Sequence, residues 1–78
     1  MAAGAVHEVR LFATLRTGRG KVVVLETERP STPAELLGRL GIRREEVAIL
    51  LVNGRDGSFD APLATGDYLS VFPPVGGG

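Results

Sequence analysis

Thr32-Pro33-Ala34-Glu35-Leu36-Leu37-Gly38-Arg39-Leu40-Gly41 reads as a helix with both ends marked. Thr32 is an N-cap residue, with a hydroxyl suited to accept a free N–H of the first turn. Pro33 fits the first helical position, where its missing N–H is one that the helix leaves unpaired anyway. Glu35, three residues after Thr32, completes a capping box. Leu36, Leu37 and Leu40 recur at helical spacing, and Gly41 suits the left-handed residue that closes a helix. The helix is short, roughly two to three turns, and one of its faces is apolar. No other segment of the chain carries such a full set of helix signals, so this one decides the fold class.

Outward from it, the chain reads as strands and turns. Before the helix, Val6 to Leu15 alternates. Val9, Leu11 and Ala13 fall on one face, and Glu8, Arg10, Phe12 and Thr14 on the other, as in a half-buried strand. Thr17-Gly18-Arg19-Gly20 is a turn. Lys21 to Thr27 is β-branched and apolar, and pairs with the first strand as a hairpin. After the helix, Arg43 to Glu46 is a charged connector with room for one more helical turn. Ala48 to Val52 is an apolar run of strand length that ends at the turn Asn53-Gly54. Arg55 to Ala61 is a short irregular strand or loop. Thr65-Gly66-Asp67 turns the chain into a last strand, Tyr68 to Phe72. There Leu69 and Val71 face one way, and Tyr68, Ser70 and Phe72 the other. Pro73-Pro74 stops it, because proline has no N–H for a ladder. One helix and four or five strands make a two-layer α+β domain over residues 6–72. Residues 1–5 read as a disordered start and 73–78 as an extended, flexible tail.

Composition narrows the function classes. A domain of 78 residues buries only about 60% of its unfolded surface, so a deep substrate pocket would remove core it can hardly spare. With 9 basic and 9 acidic residues, no electrostatic footprint for nucleic acid or an anionic membrane emerges. No long apolar run or signal-peptide pattern is present, so a cytoplasmic protein is expected. The chain has no cysteine, which excludes disulfides, thiolate metal sites and a cysteine nucleophile. His7, the one histidine, is expected to face solvent from its strand. Gly18-Arg19-Gly20 lacks the phosphate-loop pattern and its lysine, and no nucleophile–base constellation emerges. The chain reads as a protein that others act on.

The tail carries the chemistry. Pro73 to Gly78 spans about 20 Å when extended, at roughly 3.3–3.6 Å per residue. Gly76-Gly77-Gly78 has no side chain to obstruct a narrow channel or shield a terminal carbonyl carbon. A glycine end also reads as a frayed terminus, but such ends are more often polar or charged than mounted on Phe72-Pro73-Pro74.

Leu63, Gly66-Asp67 and Val71-Phe72-Pro73-Pro74-Val75-Gly76-Gly77-Gly78 together resemble the end of the MoaD/ThiS family of ubiquitin-like sulfur carriers. Val9-Arg10-Leu11-Phe12-Ala13-Thr14-Leu15-Arg16 is similar to the family's first strand, and Val52-Asn53-Gly54 to the turn after its third. The resemblance implies a β-grasp fold, with the first and last strands as parallel neighbours. It also implies a carrier rather than an enzyme. An E1-like adenylating enzyme (MoeB/ThiF-like) would use ATP to convert the Gly78 carboxylate into an acyl-adenylate. A sulfur donor would then leave a thiocarboxylate there, with Gly77 beside it. No cofactor is expected to stay bound. The sulfur-accepting partner would be of the kind of a molybdopterin synthase large subunit. Phe72-Pro73-Pro74 favours the molybdopterin or tungstopterin branch over carriers for thiamine or tRNA thiolation. The glycine at 76 and the length of Arg55 to Ala61 depart from the family pattern.

Phe12, Tyr68 and Phe72, with Pro73, Pro74, Val75 and Gly76, are the expected docking residues. Their strand positions oppose the face the helix should cover, and exposed aromatics beside prolines mark interfaces. Their alternative role is to close the edge of a thin core. Two other functions fit the same tail. In a modifier, the activated Gly78 would acylate lysines, and Lys21 is the chain's only one. In a plain binding module, the tail would have no role.

Overall fold

The helix forms where its caps place it. Glu35 N–H donates to Thr32 Oγ1 at 3.2 Å, and Thr32 N–H donates to Glu35 Oε1 at 2.9 Å. The second bond is the main cause holding the Glu35 carboxyl below its ordinary value of 4.5. The computed structural model describes residues 4–29 and 31–75. Its helix α1 is Pro33–Arg39, and Gly41 follows with φ of 74°. The strands in chain order are β1 (Ala5–Leu11), β2 (Val22–Thr27), β3 (Ile49–Val52), β4 (Arg55–Asp56) and β5 (Leu69–Phe72). Short 3-10 turns lie at Ala13–Arg16 and Arg44–Glu46.

The sheet order is β2-β1-β5-β3-β4. β1 and β5 run parallel, with Val9 opposite Leu69 and Leu11 opposite Val71. β2 pairs antiparallel with β1, β3 with β5 and β4 with β3. This mixed sheet with one helix is the β-grasp arrangement that the resemblance implies. Strand parity sorts the two faces. Val9, Leu11, Leu50, Leu69 and Val71 meet Leu36, Leu37, Ile42 and Leu63 in the core. The even positions of β1, β2 and β5 point to the open face.

Three expectations are corrected. The first strand does not reach Leu15: it ends at Leu11, and Ala13 takes φ of 53° to start a 3-10 turn. Leu15 stays buried because that turn swings it into the core. Second, the sheet starts inside the segment read as disordered. Ala5 belongs to β1, is fully buried and lies opposite Thr27. Residues 1–3 lie outside the described residues. Third, His7 does not face solvent. It is fully buried at the same parity as Val9 and Leu11. Its Nδ1 lies 2.9 Å from the carbonyl oxygen of Asp67, so Nδ1 carries the proton and donates. Among the described residues Nε2 has no partner.

A compact lock sets where β5 begins. Asn53 and Gly54 adopt φ of 53° and 81°, the left-handed pair that joins β3 to β4 in a two-residue hairpin turn. Asn53 then reaches across to the approach of β5. Its amide donates to Asp67 Oδ1 at 2.8 Å, and its Oδ1 accepts from Tyr68 N–H at 3.0 Å. The other Asp67 oxygen accepts from Ala64 N–H at 2.7 Å. Beyond the turn, a Cβ at Gly57 would stand 2.5 Å from Val52 Cγ2. Glycine therefore suits that close approach.

The Asn53 amide, and then the Ala64 N–H, hold the Asp67 carboxyl below its ordinary value of 3.8. A carboxylate lowered in the folded state contributes stability above its unfolded pKa and loses it as pH falls through the folded one. Urea midpoints are thus expected to hold from neutral pH down to 4.5, below which the lowered Glu35 carboxyl begins to lose its share, and to fall further below 3.8 as Asp67 does. Asp67→Asn should be less stable at neutral pH and lose less on acidification. An equal acid loss in that variant would assign the sensitivity to other carboxylates.

Candidate functional site: the root of the tail

β5 delivers the tail. Flanked by β1 and β3, it carries Phe72 to the end of the sheet where β1 finishes. Phe12 N–H donates to the Val71 carbonyl at 3.2 Å, and Ala48 N–H to the Phe72 carbonyl at 2.8 Å. The main chain is therefore held on both sides up to the residue before Pro73. Past that point prolines offer no N–H, the ladder stops, and the chain leaves the sheet.

Phe12 and Phe72 meet at this exit. Their rings stack with centroids 4.2 Å apart and planes within 9°. The Arg16 guanidinium lies over Phe12, 5.3 Å from its centroid, while Arg16 Nε donates to the Leu11 carbonyl at 2.8 Å. Arg19 is tied down beside it, donating to the carbonyls of Leu40 and Leu15 at 2.9 and 3.1 Å. Both rings are half-buried and lie outside the core cluster. They form an apolar step on the open face and do not seal the core.

The step opens onto a groove of about 1010 Å³, walled by Phe12, Ala13, Leu15, Ile49, Phe72, Pro73, Pro74 and Val75, with Arg19 and Glu46 supplying its charges. Ile49 is 49% exposed and Val75 is 97% exposed. Apolar side chains left in water around a shared hollow cost solvation free energy that a docked partner would recover.

The structure thus brings together Phe12, Phe72, Pro73, Pro74 and Val75. Tyr68 shares the open face but sits at the other end of β5, with Arg10 4.1 Å over its ring. Gly76, Gly77 and Gly78 lie outside the described residues. Sequence reading missed Ala13, Arg16, Arg19 and Ile49. Their convergence depends on the 3-10 turn and the β3–β5 pairing, and no periodic pattern reports either. Among the described residues no cluster of three or more His, Asp or Glu side chains is placed to hold a metal ion. Among the same residues, no helix is long and apolar enough to cross a membrane.

Known proteins point the same way. The family model described as ThiS family matches residues 9–78. The structure is similar to that of small archaeal modifier protein 1 from H. volcanii, with TM-score 0.75 and 25% identity, covering 91% of this chain and 99% of that one. It is similar to a candidate molybdopterin converting factor subunit 1 from Pyrococcus furiosus, with TM-score 0.72 and 27% identity, covering 91% and 99%. A complex of subunits 1 and 2 of molybdopterin-converting factor from Helicobacter pylori 26695 contains the same fold, with TM-score 0.60 and 24% identity, covering 94% and 99%. No curated protein sequence matches the chain.

Proposed function

The chain belongs to the ThiS family, and from that premise we propose that it carries sulfur on the terminal carboxylate of Gly78. It is a small ubiquitin-like protein of the ThiS/MoaD and archaeal-modifier kind. An E1-like enzyme binds the groove at the root of the tail and catalyses attack of the Gly78 carboxylate on the α-phosphate of ATP. Pyrophosphate leaves and the acyl-adenylate forms. The step is needed because a carboxylate is a poor acyl donor, whereas AMP is a good leaving group. A sulfur donor then displaces AMP, and the terminal thiocarboxylate results. The observation that carries this reading is the family match, which runs through Gly78, together with the apolar groove beside the end of β5 at Phe72.

The thiocarboxylate is a stronger nucleophile than the carboxylate and delivers sulfur to a precursor held by a second protein. The Pyrococcus furiosus neighbour is a candidate subunit 1, and the Helicobacter pylori protein is seen with its subunit 2. Both favour a pterin-cofactor synthase and its large subunit as the acceptor. ATP use by the activating enzyme suits a cytoplasmic protein. Untagged chain incubated with a cognate adenylating enzyme, ATP and a sulfur donor should gain the mass of one oxygen exchanged for sulfur. Fragmentation should locate the change at Gly78. No gain, with the enzyme active on another carrier, would overturn the proposal.

The likeness to an archaeal modifier favours a second reading, in which the same activated Gly78 acylates lysine amines. Larger covalent species carrying the chain in cell extracts, stable to thiols and lost when Gly78 is removed, would support it.

A further inference from the structure

β2 is an edge strand, and only alternate residues of it serve the sheet. Leu11 N–H donates to the Lys21 carbonyl at 2.8 Å, and the register continues with Val9 opposite Val23, His7 opposite Leu25 and Ala5 opposite Thr27. Bonded pairs recur every second residue in an antiparallel ladder. The main-chain groups of Lys21, Val23, Leu25 and Thr27 thus face β1, and those of Val22, Val24 and Glu26 face outward. Edge strands are usually guarded by charge, proline or a bulge. Here the guard stands at one end: Arg39, from α1, donates to the Glu26 carbonyl at 2.8 Å. Val22 and Val24 keep an open edge, with side chains 50% and 59% exposed.

We propose that this edge pairs antiparallel with the same edge of a second copy, centred on Val23. Two features select that occupant. First, the strand is electrically lopsided. Lys21 precedes it, whereas Glu26 and Glu28 close it with Glu35 of α1, against two cations there, Arg39 and Arg29, the latter 3.6 Å from Glu35. Antiparallel pairing of two copies sets each basic start beside the other's acidic finish, within reach of a Debye length of about 10 Å. Second, Arg39 blocks registers that need the Glu26 carbonyl. Centring on Val23 uses Val22 and Val24 alone. Each Val22 faces Val24 of the second copy, with about four main-chain hydrogen bonds and two valine pairs on the open face. The contact leaves β5 and the tail groove uncovered, so it stands independently of the carrier reading.

Sedimentation equilibrium and amide-exchange NMR of the full chain, from micromolar to millimolar concentration, test the pairing. The average mass is expected to rise toward twice the monomer while the Val22 and Val24 amides gain protection. Val24→Lys and Val22→Glu, both at exposed edge positions, should each keep the fold and weaken association about tenfold or more. An equal mixture of the two variants should restore it, because in this register the new lysine meets the new glutamate. A monomer mass throughout overturns the proposal, as does undiminished association of Val24→Lys. A mixture that fails to recover overturns the register. Protection of Val22 and Val24 that appears only on adding an extended apolar peptide overturns self-pairing in favour of strand addition by another protein.

Discussion

Removing Gly78 alone, or converting its carboxylate to an amide, is expected to abolish sulfur loading while leaving the fold intact. The core cluster ends at Val71, and the last sheet pairing is at Phe72. Nothing that holds the described fold together therefore depends on Gly78. The amide has no anionic oxygen to attack a phosphate, and the shortened chain presents its carboxylate one residue too early. A displacement of an ångström in a reacting group costs on the order of 10²-fold in rate, and a whole residue is about 3.3–3.6 Å. Loading should therefore fall below detection by intact mass, with unchanged far-UV circular dichroism and urea midpoint. Normal loading of the amidated chain would move the sulfur elsewhere, and with no cysteine present the thiocarboxylate chemistry would be wrong altogether.

Phe72→Ala has the second largest expected effect. Phe72 contributes one half of the stack with Phe12 and one wall of the groove. Its main chain is bonded independently, through the carbonyl that accepts from Ala48 N–H. Losing the ring should therefore cost about 1 kcal/mol of aromatic pairing, against a fold held mainly by the buried leucines and valines. Docking should suffer more. A buried aromatic anchor at an interface typically carries about 2 kcal/mol or more, which is about thirtyfold in affinity. Titration of the activating enzyme with the variant, followed by ATP–pyrophosphate exchange, should show a raised half-saturation concentration and a largely kept maximal rate. Normal folding together with normal half-saturation would remove Phe72 from the docking surface. A lowered maximal rate at unchanged half-saturation would instead place its role in aiming the tail.

Residues that act on their near neighbours were legible in the chain itself. The Thr32–Glu35 capping box, Gly41 after the helix, the Asn53-Gly54 turn and the proline stop after Phe72 all involve groups a few residues apart. Backbone sterics and local hydrogen bonds decide them before any tertiary contact forms. The parity that sends Phe12 and Phe72 away from Leu11 and Val71 is local in the same sense, and it pointed to the open face where the two rings stack. The tail itself was read from composition and position.

What tertiary structure decided involves groups far apart in sequence. His7 has core parity but a polar ring, and polarity argued for solvent. The ring is buried because the Asp67 carbonyl, 60 residues later, accepts a hydrogen bond from its Nδ1–H. β1 stops at Leu11 although the alternation of apolar residues runs on. Ala13 and Leu15 satisfy either a strand or the turn that tucks Leu15 inward, and only the space under the sheet chooses between them. The same turn gathers Phe12, Arg16 and Arg19 beside Phe72, Ile49 and Pro73. The sequence by itself determined the helix, the Asn53-Gly54 turn and the strand faces, because these follow from short-range sterics and period. The parallel β1–β5 pairing, the burial of His7 and the groove beside Phe72 were left to the tertiary structure, because each depends on which distant acceptor or apolar surface is within reach once the chain has closed.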